Sequence, residues 1–184
     1  MESNATKPDK DVIYTLRCAH QKQSQLVILA DHKAQILSGL ALVVLTLLGT
    51  RLIFMNTEGL LDSYSNLTIL LFILFCVSEI IAITLGIFVV MPNLPTKKKT
   101  EIKIENIQNP LFFGAFSDFS EEEYLDHIAQ KIVCNDSARM YLAKDIYQSG
   151  MVLSEKYRKL SHAYRYALLG FVFLVFFFLS LFLF

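Results

Sequence analysis

The chain has 184 residues, a formal net charge of zero and a 54% hydrophobic composition that includes 15 Phe. Balanced charge argues against a nucleic acid polymer as partner, and the apolar residues fall in blocks, which argues for membrane spans over an ordinary globular core. Three cysteines, Cys18, Cys76 and Cys134, lie far apart with no C-x-x-C pair, so no disulfide framework is indicated.

Within residues 1–35, the side chains Ile13, Leu16, His20, Val27, Ala30 and Ala34 recur at helical spacing, and no Pro or Gly follows Ile13 before Gly39. A helix that runs directly into a first span is predicted, and its thin stripe requires a partner helix. The first span, 36–55, carries one charge, Arg51, near an end where a long side chain can snorkel. It begins too late and runs too long for a signal peptide, so it is expected to stay in the mature protein. An external loop, 56–66, leads to the second span, 67–91, whose single charge is Glu79 near its centre. Pro92 and Pro95 end that span because proline cannot donate to the helical ladder. Lys97, Lys98 and Lys99 then mark the membrane surface, as a stop-transfer signal or as a contact for anionic lipid.

Residues 92–165 are expected to form a cytoplasmic cap and a long helix. EIKIENI, 101–107, alternates like a short strand or extended segment. NPLFFGAF, 109–116, is an aromatic loop. Ser120 and Glu123 have the spacing of a capping box, and Tyr124, Ile128 and Ile132 line the helix that follows. Asn135 and Asp136 suggest a break and a new N-cap. From Ser137 the pattern Leu142, Ile146, Leu153, Tyr157, Leu160 continues into the third span, 166–184, which carries no charge. Gly150 is its one weak point.

The predicted fold class is therefore an all-α integral membrane protein, with three transmembrane helices and long helices extending into a small cytoplasmic cap. Each span suffices for a hydrocarbon core of about 30 Å at about 1.5 Å per residue. Orientation follows from Lys and Arg: residues 1–35 carry five and residues 92–165 eleven, whereas the 56–66 loop carries none. The positive-inside rule then puts the N-terminus and residues 92–165 in the cytoplasm, and the C-terminus outside.

Catalytic chemistry is not in view. His20, His32, His127 and His162 have no i,i+4 partners, and no nucleophile elbow, P-loop or dinucleotide fingerprint occurs. No catalytic residue, metal or cofactor is expected, and the protein is not expected to be an enzyme. Three features remain. Glu79 shares a narrow face with Cys76, Ala82 and Gly86, and a mid-bilayer carboxyl has to face a bundle interior, a cavity or another subunit. It is either a pore-lining or assembly-switch residue, or a neutral carboxyl bonded to a neighbouring helix. Asp31 and Lys33, at the mouth of span one, are two residues apart and cannot pair along one helix face, so they bond to other segments or stay in water. In the aromatic loop, which opens on Asn109, Phe112 and Phe113 can stack on a planar base. Arg139, Lys144, Arg158 and Lys159 can meet a phosphate. The alternative is that the phenylalanines fill a small core or touch the membrane surface.

ADHKAQILSG at 30–39, NPLFFGAF at 109–116 and LSEKYRKLSHAYRYALLG at 153–170 resemble the transmembrane effectors of bacterial Pycsar anti-phage systems. The order also matches: a cytoplasmic helix, two spans, a segment with the Phe-Phe-Gly loop, then a helix entering a last span. The resemblance covers roughly residues 11–180. It implies a membrane effector in abortive infection, in the bacterial inner membrane. Such an effector responds to a cyclic pyrimidine mononucleotide, cyclic CMP or cyclic UMP, and impairs the membrane. Homo-oligomers in contact with the lipid bilayer are expected to act, with Glu79 as the intramembrane functional residue. Asp31, Lys33, Asn109, Phe112, Phe113 and Arg139 are the candidate ligand-binding residues. The chain departs from a simple sensor in having no separate, recognisable cyclic-nucleotide-binding domain, so a ligand site is expected within residues 1–35 and 92–165. A competing reading is a membrane anchor or scaffold that recruits a soluble partner; a membrane enzyme is least supported.

Overall fold

The computed structural model describes residues 9–57, 65–92, 109–112, 116 and 119–183. Among them are four helices and no strand: α1 (Asp9–Thr57), α2 (Asn66–Val90), α3 (Glu121–Lys131) and α4 (Asn135–Leu183). The extended segment expected at 101–107 lies outside the described residues, as do Pro95, Lys97–Lys99 and most of the 56–66 loop. Three of the helices, α1, α2 and α4, are long and apolar enough to cross a membrane.

α1 and α4 each run 49 residues without interruption, or about 70 Å at about 1.5 Å per residue, more than twice a hydrocarbon core. Each continues its span as a helix beyond the apolar stretch, as the lack of internal proline predicts. Three threonine hydroxyls inside the apolar stretches are satisfied by their own helix. Thr46 donates to the Val43 carbonyl, Thr50 to Thr46 and Thr84 to Ile80. α2 starts on Ser65, whose hydroxyl accepts from the Leu67 amide. It stops at Met91, held extended (ψ 127°) by the proline that follows.

The chain divides into two compact units. The apolar unit comprises Ile28–Met91 and Glu155–Phe184, and the polar unit Met1–Val27 and Pro92–Ser154. In the apolar unit the buried positions of α2 are Thr68, Phe75, Ser78, Glu79, Ala82, Gly86 and Val89. Most alternate by three and four residues, the spacing of a seam between near-parallel helices. Ala30, Ala34 and Ala41 of α1 and Leu160 and Ala163 of α4 are buried as well. Ala30, Ala34, Val89 and Leu160 form one cluster, with Tyr157 and Val90 packed on it. Large side chains point the other way: Leu40, Leu47, Ile73, Ile80, Leu168 and Phe171 are all exposed. An interior rich in small residues and an exterior of large apolar ones suit a bundle whose solvent is lipid.

In the polar unit, α3 begins with the expected capping box. Ser120 Oγ accepts from the Glu123 amide, and the Glu123 carboxylate accepts from the Ser120 amide. Those Ser120 hydrogen bonds hold the Glu123 carboxyl below its ordinary range. α4 starts at Asn135, two residues before the expected Ser137. Ser137 itself organises the break: its hydroxyl accepts from the Cys134 amide and donates to the Cys134 carbonyl. A hydroxyl that serves both groups of one residue closes the turn upstream of itself, so regular helix begins before it.

Candidate functional site

Two groups of residues carry the chemistry, one in each unit. In the polar unit the centre is the turn that opens the aromatic loop. Asn109 and Pro110 are fully buried, Leu111 is exposed and Phe112 half-buried. The Asn109 amide nitrogen donates to Asp145 Oδ1 at 3.0 Å and to Gln148 Oε1 at 2.9 Å. Its oxygen accepts from the Leu111 amide at 3.1 Å, the side-chain-to-backbone turn that asparagine favours. Both amide hydrogens and the oxygen are therefore engaged. Asp145, 7% exposed, uses its second oxygen for His20 Nε2 at 2.8 Å. Turn, α4 and α1 are thus joined by one hydrogen-bond chain, Gln148–Asn109–Asp145–His20. Three residues beyond His20 on α1, Gln23 keeps its amide oxygen buried with no hydrogen-bond partner. Its nitrogen lies 3.1 Å from where a Cβ on Gly150 would stand.

Arg139 pairs with Asp136 one turn earlier at 3.0 Å, with its own side chain 23% exposed. Lys144 lies over the Tyr141 ring, 5.3 Å from its centroid. Phe116, at the end of the aromatic motif, stacks on Tyr124 of α3 with ring centroids 4.6 Å apart. Phe113 lies outside the described residues.

In the apolar unit, Asp31 and Lys33 part company. Asp31 forms an ion pair with Lys156 of α4, both side chains largely buried, whereas Lys33 is exposed. Arg158 is exposed as well, and Lys159 pairs with Glu155 at 2.7 Å. Glu79 is 6% exposed and its carboxyl lies against α4: a Cβ added to Gly170 would meet Glu79 Oε1 at 2.5 Å. The neighbouring Ser78 donates to the Tyr166 carbonyl at 2.7 Å. Eleven residues before Glu79, Thr68 and Ser180 share a hydrogen bond of 3.1 Å, and Ser180 also donates to the Phe177 carbonyl at 2.7 Å. A carbonyl only accepts, so the single Ser180 proton goes to Phe177 and the Thr68 hydroxyl donates to Ser180. The inner face of α2 is thus tied to α4 by hydrogen bonds at Thr68 and Ser78, with the Glu79 carboxyl packed against Gly170. Gly86 lies against α1, where an added Cβ would collide with Ser38.

The candidate ligand residues named from sequence therefore fall into two sets. Asn109, Phe112, Phe113 and Arg139 belong to the polar unit, and Asp31 and Lys33 to the apolar unit. Sequence reasoning missed Asp145, Gln148 and Lys156 as partners, and Gly170 as the residue that admits the Glu79 carboxyl. One signal was present: Asp145 follows Leu142 by three residues on the apolar stripe of α4, where an acid needs a donor.

Comparison with known proteins gives one family. The family model of the Pycsar effector protein domain matches residues 15–184. No curated protein and no solved structure matches.

Proposed function

This chain belongs to the Pycsar effector family, and from that membership we propose that it is a cyclic-pyrimidine-responsive effector that impairs the bacterial inner membrane and so arrests the infected cell. Family membership supports a role in cyclic-nucleotide-signalled anti-phage defence. Three helices of spanning length and composition make the chain a multi-pass membrane protein. The activating ligand is cyclic CMP or cyclic UMP. It binds residues of 1–35 and 92–165, with the Phe112–Phe113 pair offering a stacking surface and Arg139 a cation. The N-terminus faces the cytoplasm and the C-terminus the outside. Homo-oligomers act, no covalent chemistry is involved, and the signal is transmitted as a change in helix packing.

The observation that carries the membrane step is Glu79. An ionisable side chain sits mid-span on the helix seam, shielded from lipid by α4. Such residues are costly and mark ion paths or assembly contacts. Parting α2 from α4 turns that carboxyl, with Ser78 and Thr68, toward whatever replaces the seam, and a polar face of this kind favours water over lipid.

The competing reading, an anchor that recruits a soluble partner, draws on Met140, Tyr147 and Met151, which are exposed along α4 in the polar unit. A membrane-potential dye in bacteria separates the two. Cells that express this chain with a pyrimidine nucleotide cyclase should depolarise, cells with either protein alone should not, and Glu79→Leu should abolish the response. Growth arrest at an intact potential would favour the anchor.

A further inference from the structure

We propose that the hydrogen-bond chain His20–Asp145–Asn109–Gln148 is a clasp that holds the polar unit in its signal-free state, so that parting it switches the effector on. The proposal rests on the reading of the protein as a signal-gated membrane effector and assigns the gate to named residues.

Three properties of the cluster argue for a latch over ordinary packing. First, it joins three separate segments: His20 from α1, Asp145 and Gln148 from α4, and Asn109 from the aromatic turn. α1 and α4 each continue without a break into a membrane-spanning stretch, so a bond between their polar ends restrains both spanning helices.

Second, the chain is well satisfied at its centre. Both amide hydrogens of Asn109 are donated, its oxygen accepts one bond, and each Asp145 oxygen has a donor. Asn109 and Asp145 are 2% and 7% exposed, so water does not replace a lost partner freely. Such a network is either made or broken, with little between, because each severed bond leaves a buried group without its partner. Two discrete arrangements are what a switch requires.

Third, the closed arrangement carries an uncompensated cost beside it. The Gln23 amide oxygen, one turn along α1 from His20, is buried with no partner. A rearrangement of α1 against α4 that supplied a donor there, from the chain or from a bound signal, would relieve that cost. The clasp therefore stands against a local bias toward release, the condition for a state that a modest signal reverses.

The test uses the full-length chain in bacteria without any cyclase, read by propidium iodide uptake and by immunoblot of the membrane fraction. Asp145→Asn keeps the shape but sets an amide against the Asn109 donor; His20→Ala removes only the partly exposed end of the chain and spares the centre. The double exchange Asn109→Asp with Asp145→Asn restores a donor–acceptor pair in reverse order. At equal membrane levels, Asp145→Asn and His20→Ala should each raise the signal-free dye-positive fraction at least about tenfold, as losing a buried hydrogen bond allows. The double exchange should return it toward wild type. If Asp145→Asn does not accumulate, His20→Ala decides. Single variants that stay silent without signal, yet respond normally when a cyclase is co-expressed, overturn the clasp and leave the effector reading standing. A wild-type chain that fails to respond to the cyclase, while the single variants permeabilise cells, supports the clasp and overturns the cyclic pyrimidine as signal.

Discussion

Glu79 and Gly170 form one local unit, and the lack of a Cβ at position 170 is part of it. The carboxyl occupies the space that a side chain there would fill, with Oε1, Cδ and Cγ all within 3.3 Å of the added Cβ. Gly39, also in a spanning helix, is open: beyond its own stretch of helix, nothing lies within 4 Å of an added Cβ. Gly170→Val should therefore destabilise the detergent-solubilised protein by about 1–3 kcal/mol, the usual cost of overpacking, whereas Gly39→Ala should change stability by less than about 0.5 kcal/mol. Combining Gly170→Val with Glu79→Ala should cost less than the sum of the two, because the second change vacates the space the first one needs. Thermal unfolding of the four variants measures both the contrast and the coupling; strictly additive effects would place Glu79 away from Gly170.

Between elements, the Asp31–Lys156 pair joins α1 to α4 within the apolar unit, beside the hydrophobic cluster of Ala30, Ala34 and Leu160. Both side chains there are less than a third exposed, so the pair is worth more than a surface ion pair and less than a fully buried one. Asp31→Lys should lower stability by about 1–3 kcal/mol on that basis, and Asp31→Lys with Lys156→Asp should recover most of it. No recovery would mean that the two charges do not meet.

Much of this level was legible in the sequence. Helices of spanning length follow from the apolar blocks, and the capping box at Ser120 follows from local spacing alone. Asp31 is readable as a residue that bonds to another segment or stays in water, and His20 as a member of the stripe along α1. Which residue answers each of them was not readable. Lys156 lies 125 positions from Asp31 and Asp145 lies 125 from His20, and pairing across such separations depends on the relative register of two long helices. The same reason hid Gly170: a glycine in an apolar run carries no local sign of the carboxyl it accommodates. Asn109 was placed among candidate ligand residues because the aromatic motif contains it. Its amide nitrogen in fact donates both hydrogens to Asp145 and Gln148 of α4, a property of tertiary structure, while its oxygen closes the local turn.

For the molecule as a whole, orientation and signal response are the two decisive properties. The asymmetry of Lys and Arg predicts that a reporter active only in the periplasm, fused after Phe184, is active, and that the same reporter fused after Thr100 is silent. The reverse pattern would put the polar unit on the wrong side of the membrane for a cytoplasmic signal. The central proposal is that a cyclic pyrimidine nucleotide, acting on this chain alone, breaches a bilayer. The measurement is release of an encapsulated dye from proteoliposomes that carry the purified full-length protein, on addition of cyclic CMP, cyclic UMP, or cyclic AMP as a control. Release is expected with at least one of the two cyclic pyrimidines and none with cyclic AMP, and the response should be lost in Glu79→Leu. Vesicles that stay sealed with both cyclic pyrimidines, while carrying correctly inserted protein, would contradict it.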